Sequence, residues 1–223
     1  MVLRQIKRLF HQATLGDQNY RYLFKPGPED EYVSIDCETT GLDRRRDEII
    51  TIAAVKIRGS RILSSEAFRA VVRPRVAINT EAIKVHGLRE VDVAHGRTIE
   101  QILPELLQFI GGRPLVGYYI DFDVAMLNRQ VLQLIGIELP NPRIEVSGLY
   151  YERKFGDAPP GTHIDLSFAQ ILEDLKLPLL NQHDAFADAM MTAMIYVSLK
   201  DMKARDIRIP RPRHKGMGEI HGG

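Results

Sequence analysis

Up to about Pro74 the apolar residues run in short, β-branched blocks bounded by turn residues, and beyond Thr98 they recur mainly every three to four positions. YVSIDC from Tyr32 reads as a strand, the charged turn LDRRRDE leads to a second in IITIAAVKI, and a third, AFRAVVRP, follows Gly59. Three strands joined by short turns predict an antiparallel meander. TIEQILPELLQFIGG predicts a helix capped at Thr98 and closed by glycines, PLVGYYI a strand, and DVAMLNRQVLQLIG a helix entered through Asp121 or Asp123. DLSFAQILEDLK, with Asp165 as its predicted cap, and AFADAMMTAMIYVSLKDM predict further helices. Strands joined through helices require a parallel pairing. The expected class is therefore α/β, with a mixed central sheet of about five strands opened by the meander and flanked by helices. Ahead of the sheet, Val2, Ile6, Leu9 and Phe10 fall at helical spacing, so residues 1–30 read as a helical extension on the outside of a domain spanning 31–200. Residues 201–223 mix Arg, Lys, Pro and Gly and read as a basic, flexible tail.

Composition narrows the classes. With 44% hydrophobic and 26% charged residues in 223, the chain reads as one globular domain with extensions. No apolar run approaches the roughly 20 residues of a membrane span, and the basic N-terminus MVLRQIKRLFHQ lacks the apolar stretch and cleavage site of a secretion signal. The single cysteine, Cys37, excludes an internal disulfide and fits a reducing compartment, so a cytoplasmic location without a membrane partner is expected. A formal net charge of +1 places any nucleic-acid contact in local patches rather than in the overall field.

The candidate chemistry lies in acids far apart in sequence at the ends of apolar runs: Asp36 and Glu38, Asp123, and Asp188. Asp36 and Glu38, two apart on a strand, share a face, with Cys37 on the other. TTGL directly after them supplies small residues that let a ligand approach the backbone. Asp121 competes with Asp123, since either can cap the following helix, and Asp184 reads as a cap or a first-turn acid beside Asp188. Four ionised carboxylates share one small space only if cations neutralise them. Oxygen-only ligands favour Mg2+ or Mn2+.

Taken in order, IDCETTGL, YYIDFD and HDAFAD resemble the three motifs of the DEDDh, or DnaQ-like, exonucleases, the family that includes the epsilon proofreading subunit of bacterial DNA polymerase III. INTEAIKVHGL, between the first two, is similar to an epsilon-type segment. The resemblance covers roughly Tyr32 to Leu199 and implies a ribonuclease H-like fold. It also implies two-metal 3'→5' hydrolysis of terminal phosphodiesters in DNA, with RNA as the alternative substrate and a polymerase or repair protein as partner. By the same resemblance the metal acids are Asp36, Glu38, Asp123 and Asp188, and the catalytic base is His183. Thr39, Thr40, Gly41 and Leu42 become the substrate contacts, with His86 as a further contact or an ordinary helix-end histidine and Phe122 as an apolar wall or a core residue, and Arg44, Arg45, Arg46 and Arg129 are candidates for phosphate or a solvated charge run. Tyr118 and Tyr119 stand where the family often carries His-Asn or a similar pair.

Overall fold

The computed structural model describes residues 9–181 and 183–211. Its centre is a five-stranded sheet in the order β3-β2-β1-β4-β5. The meander is β1 (Glu31–Thr39), β2 (Ile49–Arg58) and β3 (Arg61–Val71), antiparallel throughout. β4 (Leu115–Gly117) and β5 (Arg143–Glu145) add in parallel on the other side of β1. The expected mixed sheet is present. β4 is shorter than PLVGYYI suggested, because the chain turns at Tyr118–Tyr119 and is helical from Ile120.

Helices cover both faces. On one lie α3 (Ile99–Ile110) and α4 (Ile120–Ile135), preceded in the chain by two short helices, α1 (Thr80–His86) and α2 (Glu90–Val93). On the other lie α5 (Val146–Lys154), α6 (Phe168–Asp174) and the long α7 (Ala185–Ala204). Strand alternation sorts the two cores. Val33, Ile35 and Cys37 of β1 join the α3–α4 cluster. From the even face Ser34 donates to the Ala189 carbonyl of α7 at 2.8 Å. Thr98 caps α3 in a reciprocal capping box with Gln101.

Two expected caps differ. Asp165 does not cap α6; its carboxylate accepts the Ser167 N–H, and Ser167 is the cap. Neither Asp121 nor Asp123 caps α4, because the residue ahead of the first turn is Tyr119 and both acids lie within that turn.

The described residues on either side of the sheet domain pack more closely than composition suggested. Of the helix expected over 2–10, residues 1–8 lie outside the described part, and residues 9–13 form a short helical stretch. A 3-10 helix follows at Gln18–Phe24, and Leu15, Leu23 and Phe24 are buried in the α3–α4 core. The segment runs so close to the end of α3 that a Cβ at Gly112 would overlap the Lys25 carbonyl oxygen. At the other end α7 continues to Ala204, and Ile209 is buried in the α5–α7 core, its N–H on the Arg153 carbonyl at 3.1 Å. The rest of the expected tail, 212–223, lies outside the described residues. Among the described residues no helix is long and apolar enough to cross a membrane.

Candidate active site

The alternation that puts Cys37 into the α3–α4 core turns Asp36 and Glu38 toward α7. Asp188, in the first turn of α7, meets them there, and carboxylate oxygens of Asp36, Glu38 and Asp188 lie within 4.8 Å of one another. Asp123 comes from the opposite layer. β4 stops at Gly117 and leaves the Cys37 amide without a strand partner on that side; Asp123 Oδ1 accepts this N–H at 3.0 Å. The carboxylate of Asp123 is thus buried at the rim of the same site. Glu145 fixes that arrangement, since its carboxylate accepts the Ile120 N–H at the start of α4 and the N–H of Ser147 at the start of α5.

Mutual proximity sets the electrostatics. Burial, then the charges of Asp123, Glu38 and Asp188, hold Asp36 well above the usual carboxylate range. Burial and the neighbouring Asp188 and Asp184 raise Glu38 to about 7. Burial raises Asp123 to about 8 against the opposing Cys37 hydrogen bond, and burial also raises Asp188. A divalent cation fits this donor set. The donors are all oxygens, those of Asp36, Glu38 and Asp188 converge within coordination reach, and the repulsion among them is relieved by positive charge placed there.

His183 precedes α7 in the left-handed region (φ 62), uncommon for a residue with a side chain, and its N–H donates to Asp188 Oδ2 at 3.0 Å. Asp184 is the α7 cap, its carboxylate accepting the N–H groups of Phe186 and Ala187. His183 and Glu38 are shared by two adjoining clefts. The larger, a cavity of about 530 Å³, is lined by the four acids together with Leu42, Phe122 and Tyr119. Leu42 is 83% exposed, and Arg44 lies over the Phe122 ring at 5.6 Å.

His86 lines the smaller cleft instead. Its Nδ1 accepts the Leu88 N–H at 3.0 Å, so the ring proton is on Nε2, which donates to the Thr39 carbonyl at 3.2 Å. Burial holds its pKa below the usual imidazole value against that bond, and nearby His183 lowers it further. Thr39 and Thr40 are buried, with hydroxyls committed to the Gly41 carbonyl and to Asp47. What this turn presents to a ligand is therefore backbone. A Cβ on Gly41 would stand 2.5 Å from the Asp47 carboxylate that braces the turn.

The arginines separate. Arg44 lines the cavity, whereas Arg129 faces Glu48 in a distinct pocket. Arg46 pairs with Asp43 in the exposed turn, where Arg45 also lies. The residues not anticipated were Glu145, Phe168 and Thr192. Only Thr192 carried a signal, one helical turn after Asp188.

Comparison with known proteins gives a consistent answer. Residues 33–196 match the family model described as Exonuclease. The DNA polymerase III subunit epsilon of Aquifex aeolicus is 32% identical over 168 residues, covering 75% of this chain and 79% of that protein. The PolC-type DNA polymerase III of Caldanaerobacter subterraneus subsp. tengcongensis is 32% identical over 197 residues, 86% of this chain but only 13% of that polymerase's length. Two solved structures share the fold. Exonuclease X in complex with 5' overhanging duplex DNA has a TM-score of 0.59 at 24% identity, over 80% of this chain and 95% of that one. Escherichia coli exonuclease I with a dA16 oligonucleotide has 0.66 at 15% identity, over 79% and 42%.

Proposed function

This chain belongs to the exonuclease family, and from that premise we propose that it is a metal-dependent 3'→5' exonuclease acting on single-stranded or frayed DNA ends and releasing nucleoside 5'-monophosphates. The observation that carries the reading is the convergence of Asp36, Glu38 and Asp188, with Asp123 in the same cavity and His183 at its edge. The same resemblance supports association with a DNA polymerase.

In this reading Asp36, Glu38, Asp123 and Asp188 would hold two Mg2+ or Mn2+ ions. Bound there, the ions supply Lewis-acid stabilisation of the phosphate's negative charge and of the departing oxygen. The remaining work falls to the chain. His183, exposed at the cavity edge, takes a proton from the attacking water, and its backbone bond to Asp188 fixes its distance from the acids. The water oxygen bonds to phosphorus, the bond to the 3'-oxygen of the preceding nucleotide breaks, and that oxygen takes a proton from solvent. Leu42 and Phe122 pack on the terminal base, the Thr39–Gly41 backbone meets its sugar, and Arg44 faces phosphate.

The test uses 5'-labelled single-stranded DNA and matching RNA, with wild type and Asp36→Asn, in Mg2+, Mn2+ or EDTA. A metal-dependent ladder shortening from the DNA 3' end and absent in the variant is expected. Preference for RNA would reassign the substrate, and cleavage that persists in the variant would overturn the site.

A further inference from the structure

Tyr119 occupies a position for which a tyrosine is poorly suited. It precedes α4 with φ 55 and ψ 35, makes no side-chain cap bond, and is 65% exposed as a residue at the catalytic cavity. The left-handed region favours glycine and asparagine; a bulky aromatic gains nothing from it.

The ring is backed by a firm support. Tyr118 lies 4.5 Å behind it, centroid to centroid, and Phe168 lies 4.9 Å from Tyr118. The Tyr118 hydroxyl donates to the Leu166 carbonyl at 3.0 Å. Tyr118 and Phe168 are partly buried against the α5–α7 core, which leaves Tyr119 as the open end of an anchored aromatic row. The same cavity is also lined by Leu42 and by Phe122, over whose ring Arg44 lies at 5.6 Å. A phosphodiester cleaved at a 3' end joins two nucleosides, and the cavity that holds the carboxylates carries the Tyr119 ring as well as Leu42 and Phe122.

Resting on the exonuclease reading, with Leu42 and Phe122 assigned to the terminal base, we propose that Tyr119 stacks on the base of the preceding nucleotide, the one that carries the leaving 3'-oxygen. Stacking needs only a π-face, so this contact holds the strand without selecting its sequence. The phenol hydroxyl has no part in it.

The test compares wild type, Tyr119→Asn and Tyr119→Phe on three substrates. Asparagine suits the left-handed backbone and removes the ring; phenylalanine keeps the ring. The substrates are a single-stranded DNA oligonucleotide, the same oligonucleotide with an abasic residue next to the terminal nucleotide, and the 4-nitrophenyl ester of thymidine 5'-monophosphate, which has no second base. Tyr119→Asn is expected to lose about 5- to 150-fold in kcat/KM on the intact oligonucleotide, mostly through KM, as removal of a stacked aromatic does. The loss should vanish on the abasic and ester substrates, and Tyr119→Phe should restore the wild-type value. An equal loss on all three would make Tyr119 a support for the start of α4 and overturn the assignment, as would no loss on the oligonucleotide. A wild type that cleaves none of the three overturns the exonuclease reading itself, a result distinct from either.

Discussion

Replacing Glu38 with Gln should stabilise the metal-free protein while abolishing its use of metal. Glu38 is partly buried beside Asp188, and Glu38→Gln removes its charge at nearly constant volume. Its pKa rises on folding from 4.5 to about 7, so folding takes up a proton between those values. Stability therefore falls as pH rises through that window and levels off above it. At 1.36 kcal/mol per pH unit, holding Glu38 ionised at pH 8 costs about 3.4 kcal/mol, and only about 0.8 kcal/mol of that remains at pH 5. Solvent reaching the partly open carboxylate screens some of it, which leaves about 2–3 kcal/mol at pH 8. Urea titrations in EDTA at pH 5 and pH 8 measure the difference directly. Glu38→Gln should be the more stable protein at pH 8 and close to wild type at pH 5. Added Mg2+ should then raise wild type by mass action and leave the variant behind. Equal stability at pH 8, or a gap that does not change with pH, would refute the claim that burial and the neighbouring carboxylates penalise the Glu38 charge in the folded state.

Two further outcomes follow from the site. His183→Ala should keep binding Mg2+ and DNA, measured by calorimetry and fluorescence anisotropy, yet lose about 10²- to 10⁴-fold in single-turnover rate, the usual contribution of a positioned base; near-full activity would remove His183 from its role. Leu42→Ala, which trims an exposed wedge, should raise KM for a DNA end more than it lowers kcat, and an unchanged KM would place the terminal base elsewhere.

Much of the arrangement was legible because period-2 and period-3.6 patterns are strong where elements are long. β1, β2, α3, α4 and α7 all exceed eight residues, and the acids sit at their ends. β5 has three residues, too few to alternate, and α5 mixes polar and apolar positions around Tyr150, whose hydroxyl bonds the Lys154 ammonium and Asp174. Neither carried a pattern, so Glu145 went unseen although it holds the start of the helix bearing Asp123. Asp165 was taken for a cap by residue type alone; Ser167 stands two residues closer to the helix, and the Asp165 carboxylate instead holds the Ser167 amide. The N-terminal segment misled because Leu15, Leu23 and Phe24 are spaced for a 3-10 helix and a turn, which leave no helical stripe.

Each layer of the sandwich is closed by a described segment that lies outside the motif-bearing stretch. Leu15, Leu23 and Phe24 seal the α3–α4 side, and Ile209 seals the α5–α7 side. A protein trimmed to residues 33–196, where the family match begins and ends, would retain every proposed catalytic residue and still expose apolar surface on both faces of its sheet. The smallest unit expected to fold cooperatively is therefore longer than the region recognisable by descent. Fusions or truncations of this protein are best joined before Leu15 and after Ile209.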